Sequence, residues 1–280
     1  MRYISMTIVR AAMIGDVVGV QGLETLEAAL PVLIREQHID FVTVNGENAA
    51  DGFGMTEKDF RRIIAAGADA VTSGNHVWEK REFWPVLESE KNMLRPANYP
   101  APYGGAHGAA DAPRAPGTGI VRIEKNNIVW VVINLQGREF MSAIDCPFQC
   151  FDRCLEKARE GAAGRPPVVL LDFHAESSRE KEALAYYADG RASLIAGTHT
   201  HVQTADERIL PKGSAYITDL GMTGADGGVI GMDPEICLER AYKQVLYHME
   251  TAPAQKPGQM HGVIAEINAD DGTAVSIKRI

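Results

Sequence analysis

Short apolar runs recur along the chain, and most of them stop abruptly at polar residues. The strand-like runs are Ile8 to Ile14, Phe41 to Val44, Ala70 to Thr72, Val129 to Asn134, Val168 to Asp172, Ser193 to Ala196 and Ala215 to Thr218. Continuous apolar runs of this length fit strands buried in a sheet. Helical patterns lie between them, near Leu23 to Glu36, Glu57 to Ala66, Phe148 to Glu160 and Glu180 to Asp189. Strand-helix alternation predicts an α/β fold with largely parallel central strands. The end of the chain, His261 to Ile267 and Ala274 to Ile280, reads as a hairpin around Asp271-Gly272. From Pro96 to Gly119 the chain is rich in Ala, Pro and Gly, and much of it carries no predicted element. Such a stretch is either a surface insertion or a lid. With no internal repeat, heptad run or strong boundary, residues 1–280 read as a single domain.

The polar interruptions are where chemistry gathers. The first strand ends in Gly15-Asp16, the second in Asn45-Gly46-Glu47-Asn48 and the third in Gly74-Asn75-His76. Later strands end in Asp172-Phe173-His174 and Gly197-Thr198-His199-Thr200-His201. Sites in open α/β sheets form outside the carboxyl ends of the strands. Asp16 and Glu47 offer carboxylate oxygens, Asn48 and Asn75 amide oxygens, and His174, His199 and His201 imidazole nitrogens. This mixed N/O set without thiolate suits Fe, Mn or Zn. It is too large for one ion and fits two ions sharing a carboxylate. Each piece alone has a plainer explanation: an Asp after a strand caps a helix, Asn forms turns, and a lone His is hydrogen-bonded in a core. Their repetition at successive strand ends is what points to a built site.

Composition narrows the class. The chain has 280 residues, with 45% hydrophobic and 23% charged, ordinary for a globular protein with a full core. A net charge of −9 argues against a surface for long nucleic acid, while a small anion remains compatible with bound cations. No apolar run approaches the roughly 18 residues of a membrane span. The N-terminus reads as a short leader and a strand with no cleavable site, so a cytoplasmic protein is expected. Cys146, Cys150 and Cys154, four apart, read as one packed helix face, with a sulfur metal site as the alternative. Nothing resembles a disulfide framework.

The strings Ile14-Gly15-Asp16-Val17-Val18-Gly19, Asn45-Gly46-Glu47-Asn48-Ala49-Ala50, Gly74-Asn75-His76-Val77-Trp78, Arg95-Pro96-Ala97-Asn98-Tyr99-Pro100, Asp172-Phe173-His174-Ala175-Glu176, Gly197-Thr198-His199-Thr200-His201-Val202-Gln203-Thr204 and Asp219-Leu220-Gly221-Met222-Thr223-Gly224 together carry a resemblance. The chain is similar to the calcineurin-like metallophosphoesterase superfamily, and within it resembles the bacterial YmdB-like family over nearly its full length. It departs from the broad superfamily where that group usually has Asp-x-His: Asp16 is followed by Val17-Val18, and Asn48 fits the compensating place of the narrower family. The acidic residue that often follows the Asn-His pair is Val77 here.

The resemblance implies a sandwich of two mixed β-sheets flanked by helices, with two metal ions at the strand ends. Asp16, Asn48 and His201 would bind one ion, Asn75, His174 and His199 the other, and Glu47 would bridge them. His76 would be the catalytic histidine, no metal ligand, acting as general acid while a metal-bridging hydroxide attacks phosphorus. The implied activity is phosphodiester hydrolysis, with 2′,3′-cyclic nucleotides as the substrate class. Two rivals remain: a metal-dependent phosphomonoesterase or protein phosphatase, and a regulatory metal-binding protein with vestigial activity. Arg95 and Arg138 are phosphate-contact or structural cations, and Asp206 and Glu176 either orient imidazoles or are surface charges. His38, His107, His248 and His261 read as structural or surface residues. Oligomeric state, including a homo-oligomer, stays open.

Overall fold

The computed structural model describes residues 6–100, 114–159, 166–253 and 258–280. In chain order the strands are β1 (Ile8–Ile14), β2 (Asp16–Val17), β3 (Phe41–Asn45), β4 (Ala70–Thr72), β5 (Ile120–Lys125), β6 (Ile128–Gln136), β7 (Val168–His174), β8 (Leu194–Thr198), β9 (Arg208–Ile209), β10 (Ala215–Ile217), β11 (Met222–Gly224), β12 (Gln259–Met260), β13 (Gly262–Asn268) and β14 (Ala274–Arg279). The α-helices are α1 (Gly19–Gln37), α2 (Glu57–Ala65), α3 (Trp84–Ser89), α4 (Pro147–Arg159), α5 (Ser178–Ala188) and α6 (Pro234–Lys243).

The strands form two large mixed sheets, ordered β14-β13-β1-β3-β4 and β5-β6-β7-β8-β10-β9, and a small third sheet, β12-β11-β2. Parallel pairing runs through β1/β3/β4 and β6/β7/β8/β10; antiparallel strands close both edges of the second sheet and one edge of the first, whose other edge is the parallel strand β4. Parallel pairing puts the carboxyl ends of β1, β3, β4, β7 and β8 on a common side within their sheets, which is the condition for gathering the polar strand ends.

Alternation along the strands divides the interior into three. Met13, Phe41 and Ala265 from the first sheet meet Trp130, Leu170 and Ala196 from the second in the central core, where the Phe41 and Trp130 rings stack at 4.7 Å. The opposite face of the first sheet, including Ile14 and Val44, packs on Leu26 of α1 and Phe60 of α2. The opposite face of the second, including Val131 and Leu171, packs on Phe151 of α4 and Leu184 of α5. A strand covered on both faces has no solvent side to mark with polar residues, which is why β7 is buried along its whole length. The result is the expected two-sheet sandwich flanked by helices. Cys150 and Cys154 lie in the α4 core, as a packed helix face requires, and Cys146 at the helix approach is half-buried.

The sequence reading named no element for the short β2, β9, β11, β12 and α3, and it differs at three longer ones. Helix α1 begins at Gly19, ahead of Leu23, with no side-chain cap. Long-range bonds set its start: Val18 N donates to Thr223 O at 2.8 Å and Gly19 N to Asn48 O at 2.9 Å. Strand β5 pairs with β6 across Asn126-Asn127, both at positive φ, a two-residue hairpin turn. Helix α6 opens on Asp233, whose side chain accepts from Glu235 N and Ile236 N, with Pro234 at its first position. Most of the Pro96–Gly119 stretch, and His107 with it, lies outside the described residues.

Candidate active site

The carboxyl-end loops of both large sheets converge on one cluster. Asp16 follows β1, Glu47 and Asn48 follow β3, Asn75 and His76 follow β4, His174 ends β7, and His199 and His201 follow β8. Around His174 Nε2 the donors are tight: Glu47 Oε1 lies at 2.9 Å, Asn75 Oδ1 at 3.0 Å and His199 Nδ1 at 3.0 Å. Spacings of about 3 Å are those of neighbouring donors around an ion whose bonds are roughly 2.1 Å long. Gly74 allows this crowding. A Cβ there would stand 2.2 Å from His174 Cδ2 and 2.4 Å from Glu47 Oε2.

Asp16, Asn48 and His201 form the adjoining part. Asp16 Oδ2 accepts from His199 N at 3.2 Å, and its Oδ1 lies 3.8 Å from His174 Nδ1. Asn48 Nδ2 donates to Gly52 O at 2.8 Å, turning its amide oxygen inward. Asp16 Oδ1, Glu47 Oε1 and Asn48 Oδ1 are all buried with no hydrogen-bond partner. Glu47 Oε1 is near His174 Nε2 but off the hydrogen-bond direction, so closeness does not satisfy it. Leaving a polar group buried and unpaired costs about 1–3 kcal/mol. These orphaned oxygens lie beside imidazole nitrogens, and Glu47, His174 and His199 are close enough together to hold a metal ion.

A layer behind the donors fixes their orientation. Thr198 Oγ1 donates to Asp172 Oδ1 at 2.7 Å, so it accepts from His174 Nδ1 at 2.9 Å. That places the proton on Nδ1 and leaves the Nε2 lone pair for an ion. Asp172 also accepts from Thr72 Oγ1 at 2.5 Å and Asn45 Nδ2 at 3.1 Å. His199 Nε2 faces Glu176 Oε2 at 3.1 Å, and His201 Nδ1 donates to Ile230 O at 2.8 Å. Both loop histidines have positive φ, 102° and 65°, a region disfavoured for side chains with a Cβ. The loop is tied down by buried Asp219, which accepts from Thr200 N at 3.1 Å, Thr200 Oγ1 at 2.8 Å and Gly221 N at 2.8 Å, and pairs with buried Lys181 at 2.6 Å.

Burial and charge act in opposite directions here. Burial alone pushes the His174 pKa down, but the charges of Glu47, Asp16 and Asp172 outweigh it and lift it to about 9. Burial likewise pushes Glu47 up, and the charge of His174 close beside it more than reverses that, holding Glu47 low. Burial raises Asp16 to about 6 against the pull of His201 and His174. Burial, helped by charged His174, lowers His199 to about 3. Without an ion, then, the cluster near pH 7 is knit by the Glu47–His174 ion pair.

His76 stands beside the donors without joining them. Its backbone N donates to Glu47 Oε2 at 3.1 Å, its Nδ1 lies 3.4 Å from Glu79 Oε1, and its ring meets Phe53 edge-on at 5.0 Å. It lines a cleft of about 320 Å³ together with Glu47, Asn48, His199 and His201. Among the flanking residues, Glu176 lies beside the His199 imidazole and Asp206 beside none; Asp206 binds Thr218, Thr204 and Arg208 instead. Arg95 donates to the carbonyls of Pro96 and Pro116, and Arg138 Nη2 reaches Cys146 Sγ; neither lines the cleft. His38 caps α1 in the left-handed region, His261 is half-buried beside Gly221, and His248 lines a neighbouring groove. The sequence reading assigned no role to Thr198, Asp172, Asp219 or Lys181. Asp172 carried a signal, an acid inside the otherwise apolar Val168–His174 run; Lys181 carried none.

A family model described as YmdB-like protein matches residues 12–280. The chain is 43% identical over 271 residues to a Bacillus subtilis (strain 168) protein named 2′,3′-cyclic-nucleotide 2′-phosphodiesterase, covering 97% of this chain and 96% of that one. It superimposes on a Mycoplasma pneumoniae crystal structure titled a novel phosphatase with a TM-score of 0.86 at 31% identity, covering 98% of this chain and 93% of that one. The crystal structure of a hypothetical protein from Thermus thermophilus gives a TM-score of 0.84 at 37% identity, covering 97% of this chain and 98% of that one.

Proposed function

The chain belongs to the YmdB-like family, and from that membership we propose that it is a dinuclear-metal phosphodiesterase hydrolysing 2′,3′-cyclic nucleotides, the substrate class in the Bacillus subtilis relative's name. The observation that carries this is the clustering of unpaired oxygens and imidazole nitrogens at the rim where His76 stands. In this reading Asp16, Asn48 and His201 hold one ion, Asn75, His174 and His199 hold the other, and Glu47 serves both. Fe and Mn suit the set best, with Zn also compatible. Bound there, such ions polarise a phosphoryl oxygen and lower the pKa of water.

The side chains divide the remaining work. His199 and His201 enter as neutral ligands, their outer nitrogens engaged by Glu176 and the Ile230 carbonyl. Nδ1 of His76 faces Glu79 Oε1, and in the imidazolium form, with Nδ1–H turned to that carboxylate, the second proton on Nε2 would be given to the departing ribose oxygen. In a cyclic substrate that oxygen stays on the same sugar, so the proton is the only group the leaving side needs. We read the whole chain as one catalytic domain. The four cysteines are free thiols, which supports a cytoplasmic setting. No helix among the described residues is long and apolar enough to span a membrane.

The test joins elemental analysis to a panel of cyclic nucleotides, linear phosphodiesters and phosphomonoesters with each metal restored. Hydrolysis of 2′,3′-cyclic nucleotides at two metals per chain is expected. His76→Ala should keep both metals and lose on the order of 10²-fold or more in turnover. A preference for phosphomonoesters would favour the phosphatase alternative, and a metal-loaded protein silent on all would favour a regulatory role.

A further inference from the structure

We propose that the groove leading away from His76 is a nucleobase subsite built on Phe53 and Met249, which makes the site select nucleoside cyclic phosphates over smaller cyclic phosphodiesters. This rests on the phosphodiesterase reading above and adds the part of the substrate that the metal donors cannot see. Phe53 and Met249 line the His76 cleft, and both also line a second volume of about 450 Å³ that continues to Lys80, Tyr247 and His248. The two volumes therefore form one groove, with the phosphate chemistry at one end.

The walls have the right chemistry for a base. A phenyl ring and a thioether present polarisable faces without directed donors, and stacking on such faces tolerates any base. Phe53 is half-buried and belongs to none of the core clusters of the described residues, so packing the interior does not account for it. Its position is fixed relative to the phosphate end. The loop presenting it closes on Asn48: Gly52 N donates to Asn48 O at 3.1 Å, Asn48 Nδ2 returns to Gly52 O at 2.8 Å, and Ala50 N donates to Gly54 O at 3.0 Å. Gly52 and Gly54, at φ 87° and 78°, permit that tight closure. The edge-on contact with His76 holds the ring from the other side. A stacking face held at a set distance from the reacting phosphate loses little freedom when substrate binds. Acidic Asp51 and basic Lys80 both line the outer volume, so no single base edge is matched, and purines should exceed pyrimidines through ring area.

The experiment compares adenosine 2′,3′-cyclic phosphate with the base-less methyl riboside 2,3-cyclic phosphate on metal-loaded enzyme. The wild type should favour the nucleotide by about tenfold or more in kcat/KM, the scale of one stacked base. Phe53→Ala should lower that ratio by about tenfold, through KM, while Phe53→Trp keeps it. Met249→Ala, on a separate segment, should lower the ratio by a smaller factor and carries the test if Phe53→Ala fails to fold or to retain metal. A wild-type ratio near one, or a ratio unmoved by both alanine variants, overturns the subsite. A wild type with both metals that hydrolyses neither compound overturns the phosphodiesterase reading, and this inference with it.

Discussion

The Nε2 atom of His174 sits where the Glu47, Asn75 and His199 donors meet, and once the ring is neutral the lone pair falls there, because Thr198 and Asp172 keep the remaining proton on Nδ1. Gly74 is as necessary as any donor, since there is no space for a Cβ between His174 and Glu47. Gly74→Ala should therefore cost metal before it costs fold: elemental analysis is expected to find less than the wild-type metal content in protein whose far-ultraviolet circular dichroism is retained. Residues at this scale were readable where polarity broke an apolar run, as at Asp16, Glu47, Asn75 and His174. Thr198 was not readable, because a threonine at a strand end is ordinary until Asp172 is seen beneath it. Nor could spacing alone divide Asn75 from His76; the family resemblance drew that division, and in the structure Asn75 Oδ1 faces His174 Nε2 while His76 stands beside Glu79 and Phe53.

The His199–His201 loop is an element held in a conformation its residues do not prefer. Asp219 supplies the restraint and Lys181 of α5 neutralises it. Gly197 lets Lys181 come close, since a Cβ there would stand 1.9 Å from Thr218 O and 2.8 Å from Lys181 Cδ. Asp219→Ala leaves an uncompensated buried ammonium, and a loss of roughly 3–5 kcal/mol in denaturant unfolding is expected. Loss of stability much below this range would show that the pair is not a main support. Element boundaries were legible where local chemistry sets them: Thr56 and Asp59 form a capping box at the start of α2, close to the predicted Glu57. They were illegible at α1, whose start depends on Thr223 and Asn48. The β5 hairpin is a different case, because Asn126-Asn127 is a local turn signal and Ile120–Lys125 is a strand to which the periodicity reading gave no element. The split of the strands into two sheets also escaped periodicity, since strands buried on both faces show no side; that division came from the family resemblance.

At the scale of the molecule, the candidate donors come from two sides: Asp16, just past β1 at the start of β2, with Glu47, Asn48 and Asn75 beyond β3 and β4, and His174, His199 and His201 from the β7/β8 sheet. Protonation and metal compete for this seam. His174, raised from 6.5 to about 9 in the folded metal-free protein, stabilises that state fully below pH 6.5 and ceases to do so as pH rises through 9. Asp16, raised by burial to about 6, acts in the same direction at lower pH. Metal requires the deprotonated groups, so its affinity increases over the same range. The gap in melting temperature between loaded and stripped protein should widen from pH 6.5 to 9; a constant or shrinking gap in calorimetric scans would refute the assignment of His174 as the competing proton site.

The Phe41–Trp130 stack lies in the central core, away from the polar rim. The sheets are therefore joined by two unlike fasteners: an apolar clasp in the core that no chelator can undo, and an ionic one at the mouth, where the Glu47–His174 pair spans the seam that a metal would share.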